Sequence, residues 1–308
     1  MNLNKPKFWD KKKITIFSVL LYPLSIIVII FNFLKSFKKG KNFNLPIICV
    51  GNIYLGGTGK TPISIKIFDI FKNFGKKPAF VKKFYPYLKD EINLLEKKGK
   101  VFTHKSRKVS LMNLQDEGFD VAIMDDGFQD LSIKKDLSIV CFNENQWVGN
   151  GFVIPSGPLR EKITSLKRAE CVMINGNYNK LYDEYLLSFN NKLKIIYYKY
   201  KLVFSHEGVS KNVIAFSGIG NPSNFFLSLK ENNFNIINKY SFPDHYEFND
   251  KELNNLILEA KQKNAQLLTT EKDYYRINEK FKLKINFVNI EIQLADRSNL
   301  EHLFKKFI

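Results

Sequence analysis

The chain has 308 residues, 44% hydrophobic and 25% charged, a globular balance that excludes a disordered chain, a collagen-like repeat and a multi-span membrane protein. A mass of 36.0 kDa leaves room for one large or two ordinary domains. The formal charge of +18 suits an anionic membrane surface or a phosphorylated substrate better than nucleic acid, because its only arginines are Arg107, Arg160, Arg168, Arg276 and Arg297. Bidentate reading of phosphates and bases favours arginine over lysine, so no nucleic-acid partner is expected. Cys49, Cys141 and Cys171 are too scattered for a disulfide framework or a zinc site. They read as buried, reduced thiols in a reducing cytosol.

The first feature along the chain is an apolar run over residues 14–34, preceded by Lys11, Lys12 and Lys13 and followed by Lys35, Lys38, Lys39 and Lys41. Its length approaches that of a bilayer span. Pro23 is expected to kink or break a helix there. A secretory leader would need a small-residue cleavage site, and none follows. Lysines on both flanks give little positive-inside asymmetry. The run therefore reads as an embedded or interfacial anchor whose lysines meet anionic headgroups, with a true span and a buried core helix as alternatives.

From residue 46 onward, short β-rich runs alternate with longer amphipathic stretches. Strands are predicted at 47–50, 79–81, 101–103, 121–124, 139–142, 171–174 and 195–198, then at 213–216, 236–240, 267–270 and 287–290. Helical patterns include 67–74, 252–263 and 299–307. Alternation of this kind predicts an α/β fold with parallel sheets. There is no internal repeat and no Gly/Ser/Pro-rich linker. The lysine-rich stretch 199–211 is the softest point. It divides the chain into an N-terminal helix (1–40), a main domain (41–205) and a smaller C-terminal α/β domain (206–308).

The sharpest motif is ICVGNIYLGGTGKTP over residues 48–62, an apolar strand running into a glycine-rich turn and then a helix pattern. Gly56, Gly57, Thr58 and Gly59 supply a turn whose amides can cradle phosphates at a helix N-terminus. Lys60 would neutralise phosphate oxygens and the Thr61 hydroxyl would ligate Mg²⁺. The strict phosphate-loop pattern asks for glycine at position 54, where Tyr54 stands. Such a site needs an acid at a neighbouring strand end, and VAIMDDGFQ (121–129) provides Asp125 and Asp126. Two adjacent carboxylates repel, so a metal cation is expected between them. The residues specify Mg²⁺-nucleotide phosphoryl transfer and leave the acceptor open.

Six blocks in order carry a resemblance to the tetraacyldisaccharide 4'-kinase family of lipid A biosynthesis. They are VGNIYLGGTGKTP, MDDGFQ, PSGPLRE (155–161), AFSGIGNPSNFF (215–226), FPDHYEF (242–248) and TTEKD (269–273). The resemblance implies a P-loop kinase whose C-terminal domain closes the active-site cleft. It implies ATP and Mg²⁺, a tetraacyldisaccharide 1-phosphate acceptor and lipid IVA as product. It also implies attachment to the cytoplasmic face of the bacterial inner membrane, with no obligate protein partner. Asp90 aligns with the family's catalytic aspartate and His245 with the histidine that pairs with it; taken alone, Asp90 would read as a helix cap. Lys83, Arg107, Gln129 and Arg160 fall at positions expected near the acceptor or the nucleotide. Two departures stand out: Asp130 replaces a family histidine, and Lys82-Lys83-Phe84-Tyr85 replaces a Ser-Arg-Gly-Tyr block. They keep open a catalytically impaired lipid-binding relative, beside a P-loop switch ATPase.

Overall fold

A computed structural model describes residues 6–11, 13–204, 210–220, 222–244, 246–295 and 297–308. These form two compact units. The larger takes the described residues up to 85, with 95–199 and 294–308; the smaller takes 86–94 and those between 200 and 293. The C-terminal residues, grouped by sequence with the smaller domain, thus count with the larger. Hydrophobic burial explains this: Leu300 and Phe304 are fully buried, and the Phe304 ring lies 5.0 Å from that of Phe71.

In the larger unit, α1 (Ile16–Ser36) precedes β1 (Ile47–Gly51), α2 (Lys60–Asn73) and β2 (Pro78–Lys83). After α3 (Lys89–Glu96), which begins in the smaller unit, come β3 (Val101–His104), α4 (Arg107–Asp116) and β4 (Val121–Asp125). Then follow β5 (Leu137–Asn143), β6 (Cys171–Asn175), α5 (Lys180–Leu187) and β7 (Lys194–Phe204). The strand order is β3-β2-β4-β1-β5-β6-β7, joined by parallel pairings. β1, β4 and β5 are buried along their whole length, which is why their sequences are near-continuous apolar runs instead of alternating ones. α2 turns Ile63, Ile67, Phe68, Ile70 and Phe71 inward. Parallel pairing sets Val50 opposite Asp125, so the loops that leave β1 and β4 emerge at the same sheet edge.

α1 runs unbroken through Pro23, contrary to the break expected there. Contacts on both sides of the proline fasten the helix to the larger unit. Ser18 accepts from the Asn150 amide at 3.1 Å, the Ser25 hydroxyl donates to the Val153 carbonyl at 2.8 Å, and the Asn32 amide donates to the Arg160 carbonyl at 2.9 Å. These three side chains are seven residues apart, the spacing that keeps one helix face toward one surface. The remaining faces expose Phe17, Leu20, Ile27, Phe31 and Phe33.

The smaller unit contains β8 (Asn212–Ser217), α6 (Pro222–Glu231), β9 (Asn235–Ser241), α7 (Asp250–Gln262) and β10 (Gln266–Thr270). Within the same unit β10 is followed by α8 (Glu271–Tyr274), α9 (Glu279–Lys282) and β11 (Asn286–Leu294), and α10 (Arg297–Phe304) lies in the larger unit. Strand order in the smaller unit is β11-β10-β8-β9, again parallel. α7 opens with a reciprocal Asn249–Glu252 capping box and buries Leu253, Leu256 and Ile257. The observed class is the predicted one, parallel α/β with an N-terminal apolar helix.

Candidate functional site

The glycine-rich turn connects β1 to α2. Gly59 caps α2 at φ 88° and Gly56 sits at φ 144°, backbone conformations that side chains disfavour. The Asn52 amide holds the turn from within, donating to the Gly56 carbonyl at 3.1 Å and to the Thr58 hydroxyl at 2.9 Å. Tyr54 is compatible with this turn because it does not occupy a glycine conformation. It forms an isolated bridge with Leu159, is fully buried, and its hydroxyl donates to Asp10 at 2.6 Å. Gly51 is required for a different reason: a Cβ there would come within 2.4 Å of the Phe128 Cβ. Lys60 and Thr61 occupy the first turn of α2, where free amides and the helix dipole favour an anion.

Asp125 and Asp126 point to different partners. Thr61 Oγ1 donates to Asp125 Oδ2 at 3.3 Å and Ser64 Oγ to Oδ1 at 3.0 Å. The Lys82 ammonium, only 2% exposed, is bonded to the same Oδ2. Asp126 lies in the left-handed region at φ 55°, tolerated by a short polar side chain. Its carboxylate accepts from Arg160 Nη1 at 2.9 Å and stands 3.7 Å from Lys60 Nζ. Burial would raise the Asp126 carboxyl, but Lys60, Arg160, Lys82 and Arg107 more than offset it and bring it down to about 2. Lysine and arginine side chains thus compensate these two acids here, and adjacency alone does not require a metal between them. A magnesium ion still fits the Thr61 hydroxyl and the Asp125 carboxylate, hard oxygen donors in contact at the start of α2.

Arg107 and Arg160 hold this edge together. Arg107 donates to the Asp126 carbonyl at 2.6 Å and to Asp130 at 3.2 Å, and so clamps the left-handed turn. Asp130, the departure from the family histidine, is thereby an ion-pair partner; it also accepts from the Ser132 hydroxyl at 2.7 Å. Burial raises its carboxyl, and Ser132 and Arg107 together bring it below its ordinary value. Gln129 donates to the Asn52 carbonyl at 2.7 Å and joins the acidic loop to the glycine loop. Lys83, at the end of β2, places its ammonium 5.1 Å from the Tyr85 ring centre.

The smaller unit carries a second charged cluster. Asp90 is 7% exposed, with its Oδ2 3.4 Å from Lys272 Nζ and 3.6 Å from Arg276 Nε. Burial alone would lower the Lys272 ammonium, but Glu91, Asp244 and Asp90 outweigh it and raise it. Arg276 is fixed by Asp273 at 2.8 Å and by the Gly218 and Tyr246 carbonyls at 3.0 and 3.2 Å. Asp273 accepts from Ser217, Gly218 and Thr270. Three separated sequence blocks, 215–226, 242–248 and 269–273, thus converge on one buried aspartate and the arginine it holds. His245, expected beside Asp90, lies outside the described residues.

The family profile described as LpxK, tetraacyldisaccharide-1-P 4'-kinase, matches residues 14–308. The tetraacyldisaccharide 4'-kinase of Pelagibacter ubique is 45% identical over 97% of this chain and 96% of its own length. The chain belongs to the tetraacyldisaccharide-1-P 4'-kinase family. The family's namesake reaction makes its members phosphotransferases of lipid A biosynthesis. The Rickettsia bellii tetraacyldisaccharide 4'-kinase is 36% identical over 98% of both chains. Among solved structures, an Aquifex aeolicus LpxK crystallised with ATP matches with a TM-score of 0.71 at 23% identity, covering 95% of this chain and 99% of that one. The kinase fold is therefore shared across the full chain. Lys82, Asn52, Lys272 and Arg276 contact the candidate site residues, and sequence reasoning did not select them. Lys272 stood inside a recognised block and Arg276 among five arginines, so each had a signal, though neither had an assigned role.

Proposed function

We propose that the chain transfers the γ-phosphoryl group of ATP to the 4'-hydroxyl of tetraacyldisaccharide 1-phosphate and releases ADP and lipid IVA. The observation that carries this reading is the first turn of α2, where Lys60 and Thr61 stand beside the two carboxylates that end β4. The glycine-loop amides bind the phosphates, and Lys60 leaves Asp126 to follow charge on the transferring group. Thr61 and Asp125 would hold a magnesium ion, which supplies charge neutralisation at the phosphates. Lys82 keeps Asp125 oriented from beneath, and Arg160 with Gln129 keeps the acidic loop against the nucleotide loop.

In the transfer, the sugar oxygen bonds to the γ-phosphorus as the bond to the ADP oxygen breaks, and the hydroxyl proton passes to a carboxylate. Asp90 takes that proton. Its two cationic neighbours favour the ionised carboxylate, as a base requires. The family resemblance assigns His245 as the partner of Asp90, and Lys83, Arg107, Gln129 and Arg160 to binding of the acceptor. γ-Labelled ATP and tetraacyldisaccharide 1-phosphate in nonionic detergent test the scheme. Label should enter lipid with the wild type, fall by about two orders of magnitude or more with Lys60→Ala, and fall comparably with Asp90→Asn at unchanged ATP affinity. Label appearing only in free phosphate would refute the kinase and support a switch ATPase.

α1 fits membrane association. Its attachment is in the plane of the cytoplasmic leaflet. Ser18 and Asn32 fasten helix positions roughly 21 Å apart to the same folded unit, leaving the opposite face for lipid. A helix tied down at both ends in this way embeds without crossing.

A further inference from the structure

The nucleotide loop occupies the edge of the larger sheet where β1 and β4 end. Beside the start of β5 and the residues that precede β6 lies a cavity of about 450 Å³, reaching Phe128 beyond the acidic loop, that the phosphotransfer scheme does not use. Three chain segments contribute to its lining: residues 36–42 at the end of α1, Phe128 to Ser138, and Arg168 with Glu170. Its basic groups are Lys38, Lys39, Lys134, Lys135 and Arg168, against the single carboxylate of Glu170. The walls are built from fixed contacts. Arg168 lies 4.9 Å over the Phe128 ring and is bonded to Glu161 at 2.6 Å. Lys135 donates to the Phe128 carbonyl at 3.1 Å, and Glu170 accepts from the Ser138 amide at 2.6 Å. Burial lowers the Lys135 ammonium; Cys49 and Asp130 oppose this, while Arg168 and Arg107 add to it. Glu161 pairs with Arg168, whereas Lys38, Lys39 and Lys134 are exposed at the rim, where they attract an anion.

The position of the cavity identifies the anion. Its rim continues directly from α1, where Phe33 and Phe37 are 61% and 69% exposed and their rings pair at 4.9 Å. An apolar exposed surface thus leads straight into a basic hollow of the size that holds a small polar group. We propose that this cavity is a headgroup site for an anionic phospholipid, with its phosphate among Lys38, Lys39, Lys134 and Lys135 and an acyl chain along Phe33 and Phe37. The site rests on the membrane-attached reading of α1 and is separate from the acceptor site. It makes attachment selective for anionic lipid and fixes the orientation of the chain on the leaflet.

Cosedimentation of the full chain with vesicles tests this, using phosphatidylcholine alone or with roughly a third phosphatidylglycerol. The wild type should prefer the anionic vesicles. Lys38→Gln/Lys39→Gln/Lys134→Gln, three exposed lysines, should lose about tenfold or more of that preference. Lys72→Gln/Lys180→Gln/Lys192→Gln, three exposed lysines elsewhere on the unit, should lose under about threefold. Glu170→Gln keeps the acceptor for Ser138, removes the opposing charge and should strengthen the preference. Equal losses in the two triple variants would reduce the effect to diffuse attraction and overturn the site. A raised KM for tetraacyldisaccharide 1-phosphate in nonionic micelles, for the first triple variant, would assign the cavity to the acceptor and also overturn it. Failure of the wild type to bind either vesicle would sink the membrane reading itself. Neither ATP nor acceptor is present in the sedimentation, so its result is independent of the kinase assay.

Discussion

Lys82 offers the most demanding test of how the acidic edge is held. Its ammonium is 2% exposed and bonded to Asp125, which is fully buried at the adjoining strand end. Lys82→Met keeps the apolar stem and deletes the charge. Asp125 would then keep the Ser64 and Thr61 hydroxyls but face no ammonium at bonding distance. Removing one member of a buried ion pair costs roughly 3–5 kcal/mol, because the partner's desolvation is no longer compensated. For a unit of this size that corresponds to a fall of about 6–20 °C in Tm.

The assay is urea unfolding followed by tryptophan fluorescence. Both tryptophans, Trp9 and Trp147, belong to the larger unit, so the signal reports the unit that contains the pair. Asp125→Asn should also be costly, since it strands Lys82. The double variant Lys82→Met/Asp125→Asn should cost at least about 2 kcal/mol less than the sum of the singles. A single-variant cost below about 1 kcal/mol, or additivity within about 0.5 kcal/mol, would refute the claim that the two residues act as a buried pair.

Acid titration gives a second check. Asp126 moves from its ordinary 3.8 to about 2 on folding, so its contribution is complete above the unfolded value and disappears as pH falls through the folded one. About 2 kcal/mol of stability should therefore vanish between roughly pH 4 and pH 2, and Arg160→Met should flatten that loss in the same fluorescence measurement. At the anchor, Ser25→Val should destabilise the larger unit by roughly 1–3 kcal/mol, because the Val153 carbonyl and the Ser156 backbone amide lose their partner. Vesicle binding should persist, since the exposed apolar face of α1 is unchanged.

How much of this was legible in the sequence depends on the range of each interaction. The glycine loop could be read because its requirements are local: Gly56 and Gly59 need conformations that side chains disfavour, and Lys60 follows at a helix start. The strand runs could be read because fully buried parallel strands are apolar without interruption. The break expected at Pro23 did not occur, and the contacts that fasten α1 on both sides of it lie more than a hundred residues away, beyond the reach of local propensity. The metal expectation at Asp125 and Asp126 rested on adjacency alone. Adjacency shows that two charges need compensation, but not which cations provide it.

Lys82 is the clearest case. In the sequence it is one lysine of a pair at the end of an apolar run, indistinguishable from a solvated strand terminus. Register changes its meaning: β2 pairs with β4 so that Lys82 falls opposite Asp125, inside the sheet and not at its rim. The same logic unites the C-terminal blocks. Ser217, Gly218, Thr270 and Asp273 belong to separate motifs, and only the parallel pairing of β8 with β10 brings the ends of those strands together. Asp273 then fixes Arg276, and Arg276 with Lys272 faces Asp90. A carboxylate that reads alone as a helix cap is thus held, through two strand ends and a capped turn, among cations. Local propensity could not show this, because each cation comes from a residue about 180 positions away in the chain.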